Sequence, residues 1–594
     1  MILHRSIIKQ AGIVLLAAGA LASCTKNLDQ TPQSSATEAS VFGSQAGLAL
    51  YSNSFYDILP DIKTPFRTDC NLSDYGAVSS VPLYIQQGAY TSLNNNDWTT
   101  SVWGNLRNLN YFIAHCNNPA VPAAVNANYV GLARFFRAYF YYRKVIEYGD
   151  VPWISKALDV TDTTILYASR TPRNVVMDSV LADLDYAIAH ITATNDATRS
   201  TITRWVAYGM KSRICLFEGT YRKYQEQDLS SATAWLQQAA AAAKAVMDSA
   251  GFSLNMGGNM AYRNLFISPT PLTNEVMLAD VTSTSLGIYT DANWYLTSAT
   301  YGPRFNFIRT FVNTYLNIDG TRFTDIPGHD TISFPNETKN RDWRLQQTIR
   351  TPGYTRISSG NVVPAPPVFS YTYTGYQPIK WVLDDMVNDN GATNTNSICL
   401  MRYAEILLNY AEASEELGTF ADADWKKTIG ALRARAGITG GTDTKPTVAD
   451  PYLQAHYFPD ITDATLLEIR RERGIELALE GFRLDDLIRW KHGELLLNTW
   501  NGFYVPALNT LMDLNADGKP DVYFYQGSAP TNKVSGVTYV NVSGPGLTLS
   551  NGTYGELHWL DNVQRQWFDW MYVNPIPYSA LQLNPNLKQN PSWQ

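Results

Sequence analysis

The sequence predicts a mainly α-helical fold, in which tetratricopeptide-like helix pairs carry an irregular, loop-rich part with short strands. Two textures and one spacing predict it. Residues 38–250 and 398–497 run largely in helical periodicity, whereas 251–397 and 498–594 are rich in Gly, Pro, Asn, Thr and aromatics with little period. Ala411, Gly418, Phe420 and Ala423 fit one A-x6-G-x-[FY]-x2-A helix-pair unit.

Taken in order, residues 1–23 read as a leader rather than as fold. Arg5 and Lys9 precede the apolar run Ala11–Ala22, and Leu21-Ala22-Ser23-Cys24 resembles a bacterial lipobox. Cys24 is then the lipidated first residue, residues 24–37 a polar tether, and 38–594 a single domain. Tyr129–Tyr148 has apolar residues on nearly every face, which marks a core helix, and Gly149-Asp150-Val151-Pro152 stops it. Thr171-Pro172 supplies an N-cap and an N1 proline for a helix through His190. Thr203–Tyr221 and Ser230–Ala250 follow, and 398–497 holds four more helical patterns.

Composition narrows the function. Hydrophobic residues make up 45% of the 594, which excludes general disorder. Net charge is −7 and no basic block appears, which argues against a nucleic-acid partner. Aromatics at 12% against only 17% charged residues suit a protein that handles neutral polar ligands. Cys70, Cys116, Cys215 and Cys399 lie far apart without a C-x-x-C pair, so they read as small buried hydrophobes. Beyond the leader no apolar run is long enough to span a membrane, so lipid alone would anchor the mature chain.

Catalytic signatures are weak. Glu468, Glu472, Glu476 and Glu480 recur every four residues along one helix face, a spacing that could serve a glycosidase carboxylate pair. Arg470, Arg471, Arg473, Arg483 and Arg489 accompany them, which favours a salt-bridged structural network. The sequence has no G-x-S-x-G elbow or phosphate loop, and its seven histidines are scattered. The segment Asp513–Asp521 reads D-x-N-x-D-G-x-x-D. Asp513, Asn515, Asp517 and Asp521, with the Lys519 carbonyl, form an oxygen set suited to a structural Ca²⁺. Phe524 at the twelfth position excludes an EF-hand, and an Asx-rich turn is the alternative.

Sugar recognition needs aromatic faces for stacking and planar polar groups for hydroxyls. Arg67–Asp97 offers Asp69, Asp74 and Tyr75, then the polar loop Asn94–Asp97 before Trp98, the leading platform. Trp103 reads instead as the start of the next helix. Asp291–Arg304 offers Trp294, Tyr295, Tyr301 and Arg304, and a third group holds Tyr371, Tyr373 and Tyr376. Core packing remains the alternative for each aromatic.

Several segments, in order, carry a family resemblance: Leu28-Asp29-Gln30-Thr31-Pro32, Ala133–Tyr139, Tyr148–Pro152, Asp319-Gly320 and Asn340–Arg344. Further on come Arg402–Ala413, Arg433–Gly437, Arg470–Arg473, Glu480–Arg483, Asp486–Trp490, Pro575–Pro577 and Asn584–Trp593. Together they resemble the SusD/RagB family of outer-membrane nutrient-binding lipoproteins. Trp343 departs from a common proline and Ser592 from a common glycine. The resemblance implies one helical domain, ligand contacts near residues 67–97, and no catalysis. It also implies a SusC-like TonB-dependent transporter as partner, over which the lipoprotein captures glycan. Peptide or glycoprotein ligands are the alternative within the family. A helical-repeat scaffold and a glycoside hydrolase are the rivals outside it.

Overall fold

Capping and periodicity set the first half of the chain. In the computed structural model, which describes residues 38–95 and 97–593, six helices matter here. They are α1 (Thr64–Asn71), α2 (Thr100–His115), α3 (Ala123–Tyr148), α4 (Arg173–His190), α5 (Arg204–Tyr224) and α6 (Leu229–Ser249). The leader, Cys24, the tether and Asn96 lie outside the described residues. Thr99, Thr203 and Asp228 each accept a first-turn backbone N–H, satisfying donors that α2, α5 and α6 would leave unpaired. The start of α4 differs from the expectation. Thr171 pairs with Val151 in an isolated bridge, Pro172 takes the cap position, and Asp150 accepts the Arg173 N–H at 2.8 Å. An antiparallel bridge thus claims the backbone that a threonine cap would need.

The irregular segments are built from short pieces. The helix α7 (Ala292–Thr297) is followed by α8 (Tyr403–Glu416), α9 (Ile429–Arg435), α10 (Ala464–Glu476) and α11 (Arg483–Trp490) in the second helical zone. Strands β1 (Gly76–Ala77) and β3 (Asn306–Phe307) pair antiparallel, as do β2 (Val276–Asp280) and β6 (Ile398–Arg402). β4 (Thr355–Ser358) and β5 (Asn361–Pro364) form a hairpin. Near the C-terminus β7 (Asn501–Val505), β11 (Leu547–Leu549) and β12 (Gly555–Trp559) make one small sheet. β8 (Leu511–Met512), β9 (Val522–Tyr525) and β10 (Thr538–Asn541) make another, with β9 and β10 parallel.

Helices pack in pairs: α3 on α4, α5 on α6, and α8 against both α6 and α10. The repeat unit is partly realised. Ala411 and Phe420 are buried and Gly418 turns the chain at φ +68°, but Ala423 is exposed and Trp425 fills the inward position. One core lies among the helices of the first half and another beneath the irregular part. The four described cysteines are free and buried, and no described helix is long and apolar enough to cross a membrane.

The glutamate row is consumed by arginines. Glu468 pairs with Arg433 and Arg471, and Glu472 with Arg344 at 2.5 Å. Glu476 pairs with Arg344, Arg402 and Arg435, and Glu480 with Arg402 and Lys380 at 2.7 Å. Burial alone would raise the Glu476 carboxyl, but Arg435, Arg402 and Arg344 hold it well below the usual carboxylate range. These carboxylates are structural ions, with every one of them buried.

Candidate ligand-binding site

The first expected region is mostly interior. Asp69 is buried and accepts the backbone N–H groups of Gly481 and Arg483, and burial pushes its carboxyl up to about 6. Asp74 is held by Arg483 through two contacts of 2.7 Å, and Tyr75 Oη accepts the Leu479 N–H at 2.9 Å. These three residues dock α1 and β1 onto the turn after α10, so they are corrected here from ligand contacts to core residues. A buried carboxylate must be paired, and the chain pairs each one internally.

Trp98 is partly buried. Its ring meets Tyr148 edge-on at 5.0 Å and lies 4.9 Å from Trp103. Its loop is tied to the C-terminal segment, with Asn95 donating to Pro575 O and accepting from Tyr148 Oη. Trp98 thus joins the helical core. Trp103 sits in the first turn of α2, as expected, against Phe140.

The second region is where aromatic surface and polar groups converge. α7 presents Trp294, and the turn after it brings Tyr301 face to face with that indole, 3.8 Å apart and 17° from parallel. Both rings are partly exposed. Tyr301 Oη donates to Asp291 at 2.7 Å and accepts from Arg67 Nη2 at 2.9 Å, and Arg67 also pairs with Asp291. The bond to Asp291 raises the Tyr301 hydroxyl above its ordinary value, so it remains a neutral donor. Lys63 stands 3.6 Å from the same carboxylate. Tyr295, by contrast, is buried, with Arg67 over its ring at 4.6 Å and its hydroxyl donating to Asn71. It braces the site from beneath and is corrected from a contact to a support.

A second stacked pair extends the surface. Tyr373 lies on Trp559 at 3.8 Å, only 9° from parallel, and both are partly exposed. Arg304 joins the two pairs by donating to Ala299 O and, at 3.0 Å, to Tyr373 Oη. Trp559 is anchored by its Nε1 donating to Val78 O at 2.8 Å. From the third expected group, Tyr373 thus enters the site, while Tyr376 is buried and donates to Glu337. Sequence reasoning missed Lys63, Arg67 and Asp291 as polar members, and Trp559 altogether. Trp559 ends a strand that is brought beside Tyr373 by its partner β7, whose Phe503 N–H donates to the Thr374 carbonyl, and by its bond to Val78, a tertiary closeness that no local spacing encodes.

The arrangement offers planar apolar faces edged by the Arg67 guanidinium, the Tyr301 phenol and Arg304, with the buried Asp291 carboxylate holding Arg67 and Tyr301 from beneath. Such a surface stacks on sugar rings and orients hydroxyls in pairs.

Comparison with known proteins agrees with this architecture. Residues 274–593 match the model of the SusD family, and residues 42–216 match that of "Starch-binding associating with outer membrane". SusD-like protein P2 of Formosa agariphila is 24% identical over 473 residues, covering 77% of this chain and 83% of that one. Among solved structures, a SusD-like carbohydrate binding protein from Bacteroides fragilis shares the fold with a TM-score of 0.66 at 19% identity. That alignment covers 92% of this chain and 100% of the other. Surface glycan-binding protein A from Bacteroides fluxus aligns with a TM-score of 0.56 at 16% identity, covering 93% and 100%. The chain belongs to the SusD family.

Proposed function

We propose that this protein binds oligosaccharide or polysaccharide on the Trp294–Tyr301 and Tyr373–Trp559 face and hands it to a SusC-like TonB-dependent transporter. It acts at the outer membrane, held there by lipid on Cys24, and breaks no bond in its ligand. The observation that carries this reading is the two near-parallel aromatic pairs, each partly exposed, with Arg304 tying Tyr373 to the turn between Trp294 and Tyr301 and Arg67 held beside Tyr301 by the buried Asp291. Relatives named for carbohydrate and glycan binding support the ligand class. The outer-membrane association in the matched family description supports the location.

The test is a panel of soluble polysaccharides in affinity electrophoresis and calorimetry, using protein that starts after Cys24. A cognate glycan is expected to bind wild type, and Trp294→Ala and Trp559→Ala each to weaken it about tenfold, about 1.4 kcal/mol for each lost stacking face. Unchanged affinity in both variants overturns the assignment of this face.

A further inference from the structure

A cleft of about 410 Å³ lies between α1, α2, α3, α5 and the turn around Gly481, away from the aromatic face. That volume falls in the range of small-molecule sites. Met210, Phe217, Leu278 and Met401 give it apolar walls. Two tyrosines of α3, Tyr139 and Tyr142, also line it and are 7% and 2% exposed. Neither phenol hydroxyl bonds to another described residue, and neither is among the enclosed unpaired atoms, so each opens onto the cleft. Two hydroxyls that open onto one cleft with no protein partner are free to pair with water or with the hydroxyls of a ligand.

Neighbouring groups add unused donors. Arg143 spends Nη1 on Asp485 at 2.6 Å, while Arg213 spends Nε and Nη2 on Glu405 and the Leu400 carbonyl. The lining holds five basic and five acidic side chains, so neither an anion nor a cation gains from its net charge. Hydroxyl partners over apolar walls suit an uncharged molecule with both hydroxyl and C–H surface. The cleft lies near the lower end of the range of small-molecule sites, which limits its occupant to about one or two sugar rings.

We propose that this cleft is a second binding site, for a neutral hydroxylated molecule of one or two sugar rings. It is separate from the aromatic face: Thr64, Pro65 and Thr68 of α1 line the cleft, whereas Arg67 of the same helix reaches Asp291.

The test uses the Trp294→Ala/Trp559→Ala protein, so that the surface platform is removed and the two readings fail separately. Glucose, galactose, mannose, xylose, maltose and cellobiose are titrated at millimolar concentration by saturation-transfer NMR and calorimetry. The expected result is saturable binding of at least one of them, weakened about tenfold or more by Tyr139→Phe/Tyr142→Phe, which removes two hydrogen bonds. Glucuronate and glucosamine are expected to bind no more tightly than the neutral sugars. Val102→Trp, which adds bulk on the α2 wall, is expected to block binding as well and serves if the double variant fails to fold. Absence of saturable binding by every sugar overturns the proposal and leaves a cleft filled by water. Binding that survives both sets of substitutions overturns it too.

Discussion

At the scale of single residues, charge burial and backbone conformation make the sharpest predictions. Glu412 is buried and bound by both Arg489 nitrogens, at 2.5 and 2.7 Å, and by Trp490 Nε1 at 2.6 Å. Burial alone would raise its carboxyl, but Arg489, Arg473 and Arg470 outweigh it and bring the value down to about 2 from 4.5. A depressed carboxylate stabilises the fold at pH above its unfolded value and loses that contribution as pH falls through the folded one. Glu412 therefore contributes about 3 kcal/mol at neutral pH, lost between roughly pH 4.5 and pH 2. Urea unfolding of wild type and Glu412→Gln should differ most at pH 7 and converge toward pH 2. A gap that stays constant with pH would contradict the assignment. Ser592 stands where the resembling family commonly has glycine, and it adopts φ +65°. That left-handed backbone costs an L-residue about 1 kcal/mol, so Ser592→Gly should raise the thermal midpoint. Gly437 is the converse case. At φ +77° its added Cβ would fall 2.4 Å from the Trp343 ring, so Gly437→Ala should destabilise by more than 1 kcal/mol in the same melting assay.

At the scale of elements, the helices were legible and the strands were not, for a physical reason. A helix such as α3 or α5 repeats its apolar pattern over twenty or more residues and carries its own capping signals. Strands of two to five residues, such as β1 and β12, take their identity from distant partners. The same contrast explains the site. Trp294, Tyr301 and Arg304 stood out because they cluster in a polar stretch, whereas Asp69, Asp74 and Tyr75 share that residue chemistry but are drawn inside by Arg483 and Leu479. The segment 513–521 turns out to be the hairpin loop joining β8 to β9, and Phe524 is buried in β9. Asp513 accepts N–H groups from Asn515, Ala516 and Gly518, and Asp521 accepts from Leu514. Burial raises the Asp521 carboxyl, and Asp513 and Asp517 raise it further, so acidic groups crowd this loop. Among the described residues no three acidic side chains gather closely enough to hold a metal ion, and the bonds from nearby N–H groups to Asp513, Asn515 and Asp517 are those of an Asx-rich turn. The proposal that it binds Ca²⁺ predicts that adding Ca²⁺ to chelated protein raises the thermal midpoint, an effect that Asp517→Asn should diminish. Neither heat of binding nor a shift in midpoint would reject it.

At the scale of the whole molecule, the ribbon β2–β6 joins the two cores. Val276 and Ala279 of β2, with Ile398 and Cys399 of β6, belong to the core beneath the irregular part. Met277, Leu278 and Met401 belong to the helical core. Arg402 closes the ribbon by donating to Glu480 at 2.7 Å, Glu275 at 3.0 Å and Glu476 at 2.5 Å, all buried. Replacing such an ion network wholesale with apolar residues is often neutral, but removing one partner leaves unpaired charge in a low-dielectric interior. Arg402→Met keeps much of the side-chain bulk and takes away the charge, so it should cost about 3–5 kcal/mol. Because both cores press on the same ribbon, the loss is not confined to one of them. Hydrogen exchange read on peptides of α3 and α5 reports the helical core and on peptides of β7 and β9 the other, and both should lose protection at lower denaturant together. If the variant instead unfolds in two separated steps, with the helical signal unmoved, then Arg402 serves one core only and the molecule is two independently stable units.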